Sequence, residues 1–264
     1  MLLHAVPGRR PADKQMPLKE SEAVVLRSFP LGEADRLVSF FCREAGRLRG
    51  VAKGARRPKG RFGSTLEILT HVRVWYFEKE TRDLVRVNQC ELLESFLEVQ
   101  QDYERGLALA MVSEVTEHVL PEREPSDPAF RLVLHTARAI KQGTSAGLAL
   151  AYFALWTVRL GGWLPDLARC ARCGKDILAK GGFGSDLYTG LACSHCRMPG
   201  MRTIAGCSLT AAQQMLEKRL NEIAATRPEP AAPTDLNEYL LDVIEHQIER
   251  KLQTRRMLDL ARQG

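Results

Sequence analysis

Hydrophobic positions along this chain change their period once, near residue 98. Before that point apolar and polar residues alternate in short runs, the period-two pattern of half-buried strands. The runs are Glu22–Phe29, Arg36–Cys42, Arg47–Ala52, His71–Phe77 within Leu66–Glu78, and Leu84–Val87. Pro30, Gly32 and Glu33 turn the chain after the first, and Glu44-Ala-Gly46 after the second. Thr81-Arg-Asp83 precedes the fifth. Five strands with short turns in about eighty residues predict a small closed barrel, with the oligonucleotide-binding barrel (OB-fold) as its specific version. His71, in an alternating run with no metal partner nearby in sequence, reads as a surface residue.

From about Val99 the apolar period becomes helical. Tyr103, Leu107, Ala110 and Met111 define one helix, with Glu114 opposite, ending before Pro121. Asp127 and Pro128 suit the N-cap and N1 positions of the next. Its inner face carries Phe130, Val133, Leu134, Ala137 and Ile140. Arg131, His135 and Arg138 form a basic stripe on its other face, either a solvated surface or a seat for an acidic peptide. Gly143 ends this helix. Ala146–Leu160 is a third and strongly apolar one, closed by Gly161-Gly162. Thr210 and Gln213 have capping-box spacing and predict a helix running to about Ala224. Arg227–Pro233 reads as a linker. Leu236, Leu240, Val243, Ile244, Ile248 and Leu252 then predict one long final helix, with Arg255, Arg256 and Arg262 at its negative end.

The longest apolar run, Leu148–Leu160, contains Thr157 and Arg159. It falls short of the ~18 residues a membrane span needs, so no membrane association is expected. Residues 1–19 hold prolines, Gly8 and Arg9-Arg10 but no apolar signal core. They read as a disordered extension, with Met16 an alternative start. The expected class is α+β: an OB-fold barrel over residues 20–97, then a helical domain over 98–264 that contains a zinc loop at 168–203. The expected location is cytoplasmic.

That loop is the sharpest motif. Cys170-Ala-Arg-Cys173 and Cys193-Ser-His-Cys196 are separated by nineteen residues. Two Cys-x-x-Cys knuckles at such a separation are the signature of a four-thiolate zinc site, and four thiolates leave no open position for catalysis. One structural Zn2+ is therefore expected. Paired disulfides are the competing reading, disfavoured by scattered Cys42, Cys90 and Cys207 and by the absence of a secretory signal. A redox pair needs only one Cys-x-x-Cys. His195 is an alternative ligand and reads as an exposed passenger.

The formal net charge is +6, which favours an anionic partner, nucleic acid first. Its distribution says more. From Arg43 to Arg61 stand Arg43, Arg47, Arg49, Lys53, Arg56, Arg57, Lys59 and Arg61, against Glu44 alone. Gly46, Gly50, Gly54, Gly60 and Gly63 interleave them. A glycine-laced basic loop is suited to lying along phosphates; a solvated hairpin tip is the plainer alternative. Phe62 is a candidate for base stacking, though a single loop aromatic is more often packed. No phosphate loop, His-Glu-x-x-His pair or carboxylate cluster is present in the sequence, so no enzyme is expected. The competing readings are a zinc-ribbon protein that binds RNA or a polymerase, and a basic zinc nuclease.

The order of parts resembles the RecO family of bacterial DNA repair proteins. The residues that carry the likeness are Glu22-Ala-Val-Val-Leu-Arg-Ser-Phe-Pro-Leu-Gly-Glu-Ala-Asp-Arg36, Gly50-Val-Ala-Lys-Gly-Ala-Arg56, and Leu160-Gly-Gly-Trp-Leu-Pro-Asp-Leu167 leading into Cys170. The likeness covers roughly residues 20 to 255, and all four cysteines are kept. It implies a non-enzymatic, nucleoid-associated recombination mediator that binds single- and double-stranded DNA and anneals complementary strands. It also implies a partner, RecR, with which RecA is helped to displace the single-stranded-DNA-binding protein, whose acidic C-terminal tail is contacted. Arg36 joins the basic-loop residues as a DNA-binding candidate on this likeness. Arg131, His135 and Arg138 become candidates for the tail. Arg169, Arg172, Lys175, Lys180, Arg197 and Arg202 around the zinc loop either extend the DNA surface or are solubilising charge.

Overall fold

The computed structural model describes residues 17–57, 60–79, 83–226 and 231–261. The expectations for the extension through residue 16, for Met16, Lys59, most of the 227–233 linker and Arg262 lie outside the described residues.

Five strands close into a barrel: β1 (Leu18–Leu31), β2 (Asp35–Cys42), β3 (Gly46–Ala52), β4 (His71–Phe77) and β5 (Leu84–Glu94), in the order β1-β2-β3-β5-β4. β1 returns to β4, and β3–β5 is the parallel pair. β1 is longer than its apolar run because it serves two neighbours. Leu18–Val24 pairs with β4 and Ala23–Leu31 with β2, with a register shift between Val25 and Arg27. The inward residues, among them Val38, Phe40, Leu48, Val74, Val85 and Val87, form a closed apolar core.

A second and larger core joins the outer face of the barrel to the helices. Val24, Leu26, Phe41, Leu69 and Phe96 belong to it. The helices are α1 (Tyr103–Val119), α2 (Asp127–Lys141), α3 (Ala146–Leu160), α4 (Gly206–Glu217), α5 (Leu220–Ala224), α6 (Thr234–Gln247) and α7 (Gln253–Ala261). α3 is apolar nearly all round, and such a helix must be buried. It packs against α1, α2, α4 and α6. Between α3 and α4 lies a small sheet, β7-β6-β8, made of β6 (Gly182–Ser185), β7 (Tyr188–Ala192) and β8 (Arg202–Ile204).

Several helix ends differ from the sequence reading, some for a local and some for a tertiary reason. Ser126, not Asp127, caps α2, its side chain accepting from the Ala129 N–H at 3.4 Å. α4 starts at Gly206 rather than Thr210, whose hydroxyl donates to the Gly206 carbonyl instead. The remote Asp235 carboxylate holds that start, accepting from the Ala205 N–H at 2.7 Å and the Ser208 hydroxyl at 2.5 Å. The helix also stops at Glu217, so the stretch to Ala224 is α4 and α5 rather than one helix. The predicted long final helix is broken into α6 and α7, with Glu249 at φ 51° in the break. Glu114 explains the break. Rather than facing solvent opposite the core, it is 8% exposed and accepts the Gln253 and Thr254 N–H groups at 2.9 and 2.8 Å. Those donors open α7. Arg255 therefore sits in the first turn of α7, against Glu238, Asp242 and Glu245, and does not complement a helix C-terminus.

Candidate metal centre and nucleic-acid interface

The four cysteines come together. The sulfur atoms of Cys170, Cys173, Cys193 and Cys196 all lie within 4.8 Å of one another. The Cys173 and Cys193 sulfurs are 3.7 Å apart, near the ~3.8 Å edge of a tetrahedron with 2.3 Å metal–sulfur bonds. None of the four is in a disulfide. Each knuckle is a tight turn, closed by Gly174 N–H to the Cys170 carbonyl at 2.9 Å and by Cys196 N–H to the Cys193 carbonyl at 3.0 Å. Gly174 takes φ 70°, a conformation that favours glycine. The Ala171 N–H to Leu191 carbonyl bond ties the first knuckle to β7.

The donor set fits a soft ion. At Cys170 burial raises the thiol, but N–H groups of Cys193, Cys173 and Arg172 favour the thiolate, and its pKa falls to about 6. Cys196 is pushed up to about 12, chiefly by its hydrogen bond with Cys173. Sulfurs that share protons in this way readily exchange them for a metal ion. The arrangement can hold one metal ion with all positions filled by protein. His195 is exposed and outside the cluster.

The basic residues divide into two groups. Arg43 donates to Asp127 at 2.7 Å and to Glu22 at 3.0 Å. Arg47, 16% exposed, meets Glu117 at 3.2 Å, Glu122 at 3.5 Å and the Leu120 carbonyl at 3.0 Å. Arg49 pairs with Glu122 at 2.9 Å. These three arginines fasten the barrel to α1, α2 and the segment between them. Ser39 and Ser113 reinforce the seam through Glu117 and the Leu26 carbonyl. Gly46, at φ 71°, lies so close to the Glu124 backbone that a Cβ would collide with it. Arg36 faces Glu67 at 3.7 Å.

By contrast Lys53, Arg56, Arg57 and Arg61 are exposed and have no carboxylate partner among the described residues. Their loop is anchored to the β1–β2 hairpin. The Arg56 N–H donates to the Ala34 carbonyl at 2.9 Å, its guanidinium to the Gly32 carbonyl at 3.0 Å, and the Gly54 N–H to Asp35 at 2.8 Å. Phe62 is 1% exposed and packs into the barrel core, with the Arg61 guanidinium over its ring; it presents no face to a base.

His71 also departs from expectation. It is 5% exposed, edge-on to Phe130, and bonded to Glu22 at 2.7 Å. Burial lowers its pKa, against the pull of Glu22. Burial raises the Glu22 carboxyl, but hydrogen bonds from Arg43 and His71 overcome that and hold it below the usual range.

The stripe on α2 is split as well. Arg138 is engaged with Glu94 at 2.8 Å, and Arg131 with Asp127 at 3.0 Å. Arg131 and His135 line a groove of 530 Å³ with Tyr152, Trp156 and Arg219. The His135 Nε2 atom is buried there without a hydrogen-bond partner among the described residues. Burial first, then Arg219 and Arg138, lower its pKa. Sequence reasoning missed Tyr152, Trp156 and Arg219. The aromatic pair at i, i+4 on an apolar helix reads as core, and Arg219 lies far along the chain.

Of the charged residues around the cysteine cluster, Arg202 pairs with Asp242 and Arg197 lies over the Phe183 ring. Arg169, Arg172, Lys175 and Lys180 are exposed. No helix among the described residues is long and apolar enough to cross a membrane.

Comparison with known proteins bears on both halves. The family model described as recombination protein O N terminal matches residues 16–96, and the one described as recombination protein O C terminal matches residues 100–256. A protein of Koribacter versatilis named DNA repair protein RecO is 40% identical over 242 residues, covering 92% of this chain and 98% of its own. A namesake from Nocardioides sp. is 40% identical over 188 residues, 69% of this chain and 76% of its own. One from Anaeromyxobacter sp. (strain K) is 31% identical over 240 residues, 89% of this chain and 94% of its own.

Proposed function

Because the chain belongs to the recombination protein O (RecO) family of DNA repair proteins, we propose that it is a non-enzymatic mediator that binds and anneals DNA through the barrel. The single observation behind this reading is the loop of Lys53, Arg56, Arg57 and Arg61, exposed and without carboxylate partners among the described residues. Cations already paired within the protein gain little from a phosphate. Unpaired ones release the counterions of the DNA and bind any sequence, with affinity that falls steeply with salt. Annealing needs such a surface, since it must neutralise two strands without reading bases. Arg43, Arg47 and Arg49 are assigned to the seam instead, Arg36 to the rim of the DNA surface, and Lys59 stays a DNA-binding candidate from the sequence alone.

In this reading the protein works with RecR to help RecA load on single strands coated by their binding protein, in the cytoplasm at the nucleoid. The acidic C-terminal tail of that binding protein sits in the groove of Arg131, His135 and Arg219, which Tyr152 and Trp156 also line. Arg138 stands aside on Glu94. The metal is zinc, one per chain, and its role is structural. Cys170, Cys173, Cys193 and Cys196 would hold it, and it would supply a cross-link between the two knuckles.

The test is strand annealing by the wild-type protein and by an Arg56→Ala/Arg57→Ala/Arg61→Ala variant, at two salt concentrations, with folding and metal content checked first. Loss of annealing in the variant is expected. Equal annealing by both would move DNA to another surface. For the groove, Arg131→Glu/Arg219→Glu is expected to abolish binding of an acidic tail peptide; unchanged affinity would remove that assignment.

A further inference from the structure

The outer face of the barrel carries a row of side chains that the phosphate surface leaves unused. Strand register places Phe29 opposite Leu37, Leu37 opposite Val51, and Val51 opposite Arg86. Directly opposed residues share a face of the sheet. The rows on either side, Ser28–Val38–Gly50–Val85 and Pro30–Arg36–Ala52–Val87, point inward, with Val38, Ala52, Val85 and Val87 buried. The Phe29 row therefore points out. Phe29 is 50% exposed, Leu37 and Val51 are half-buried beside it, and Arg86 is exposed.

This row stands clear of the helices. The next outward row toward them is occupied, with Arg27 on His118, Ser39 on Glu117 and Arg49 on Glu122. On its far side the row meets the hairpin tip, where Leu31 is 40% exposed and the Arg56 guanidinium is tied to Gly32. Lys53, two residues beyond Val51, and Arg86 have no carboxylate partner among the described residues. Asp35 is occupied by the Gly54 N–H, which leaves Glu33 as the other acid of the hairpin. An exposed aromatic ring on a rigid strand, at one end of an apolar row that leads to these two cations, matches what a single strand offers: a flat apolar base beside its phosphates. In a duplex the base faces are hidden against one another. Phe29 and Arg86 are three strand spacings apart, about 14 Å, a span of a few nucleotides of single strand.

We propose that Phe29 is a stacking platform for an unpaired base of single-stranded DNA, with Leu37 and Val51 as its apolar floor and Arg86 and Lys53 beside the flanking phosphates. The inference rests on the DNA-handling reading of the basic loop and adds to it a preference for single strands over duplex.

The test compares Phe29→Ala, Phe29→Tyr and the Arg56→Ala/Arg57→Ala/Arg61→Ala variant, by fluorescence anisotropy on an oligo-dT strand and on a duplex of equal length. Phe29→Ala is expected to weaken single-strand binding about tenfold or more while duplex binding and the salt slope stay within about twofold of wild type. Phe29→Tyr keeps a ring and is expected to bind like wild type. Ultraviolet cross-linking of a 5-iodouracil oligonucleotide is expected to mark the peptide that holds Phe29. The idea fails if Phe29→Ala changes neither affinity or both equally, or if cross-links fall only on other peptides. The loop variant separates the two levels. If it loses both substrates while Phe29→Ala is silent, only the stacking role is lost. If it binds as wild type does, the phosphate surface itself is misplaced, and this inference goes with it.

Discussion

Arg47 stands inside a run of basic residues yet spends its charge within the protein, and replacing it tests that distinction. Arg47→Ala removes a guanidinium held by Glu117, Glu122 and the Leu120 carbonyl. The side chains of Arg47 and Glu117 are 16% and 10% exposed. Breaking a buried pair from one side costs about 3–5 kcal/mol, because the other charge stays behind; partial access of water reduces that here to about 2–3 kcal/mol. Ser39 still donates to Glu117 at 2.6 Å, so the carboxylate is not wholly abandoned. For a chain of this size the loss corresponds to a melting temperature lower by about 5–10 °C. Differential scanning fluorimetry reads that shift, and anisotropy titrations well below the melting temperature read DNA affinity against salt. Arg47→Ala should leave the salt slope unchanged. Arg56→Ala/Arg57→Ala/Arg61→Ala should do the reverse, with melting little changed and the single-strand slope shallower by about 2, at roughly 0.7 per phosphate contact. A flattened slope with normal melting in Arg47→Ala would show that Arg47 is on DNA after all, and would refute the division of the basic residues.

Three further outcomes follow from the same geometry. Zinc analysis should find one ion per chain, and a Cys173→Ser variant or a strong chelator should release it and expose residues 170–204 to rapid hydrogen exchange while the barrel stays protected; protection unchanged on metal loss would deny the ion a structural role. Glu114→Ala removes the acceptor for the first N–H groups of α7, so exchange of residues 253–261 should accelerate and stability should fall by about 2–3 kcal/mol, since hydrogen bonds to a charge are worth about 1.5–3 kcal/mol each; slow exchange in α7 would mean the cap is dispensable. Stability should also fall with acid. Burial raises the carboxyls of Glu22 and Glu114, but the hydrogen bonds they accept outweigh it and hold both below their ordinary 4.5; burial holds His71 below its 6.5 against the pull of Glu22. The unfolded chain therefore takes up protons first, and stability is intact above pH ~6.5, falling as pH drops through the folded values. Melting curves from pH ~7 to ~3.5 check the sign, and Glu114→Gln should flatten the acidic part of the dependence.

The sequence alone determined the parts and their order. A period of two and then of 3.6 gave barrel and helices, because burial of one face leaves a mark at every second or every third to fourth position. The cysteine spacing gave the four-cysteine cluster that could hold a metal, because a two-residue knuckle is a local geometry that needs no distant partner. What escaped was whatever depends on residues far apart in the chain. Asp235 holds the start of α4 from 27 and 30 residues away, and Glu114 that of α7 from 139 and 140 residues away; no local propensity encodes either. His71 looked exposed because the alternation of β4 does not say which outward positions are covered by α2. The basic run read as one surface, since sequence counts charges but not their partners. Tertiary structure sorted it by distance: Arg43, Arg47 and Arg49 face the carboxylates of α1, α2 and their connection, while Lys53, Arg56, Arg57 and Arg61 meet none among the described residues. It likewise turned Phe62 into the core and left Phe29 on the outside, because only the closed register of the barrel decides which face of a strand has a neighbour.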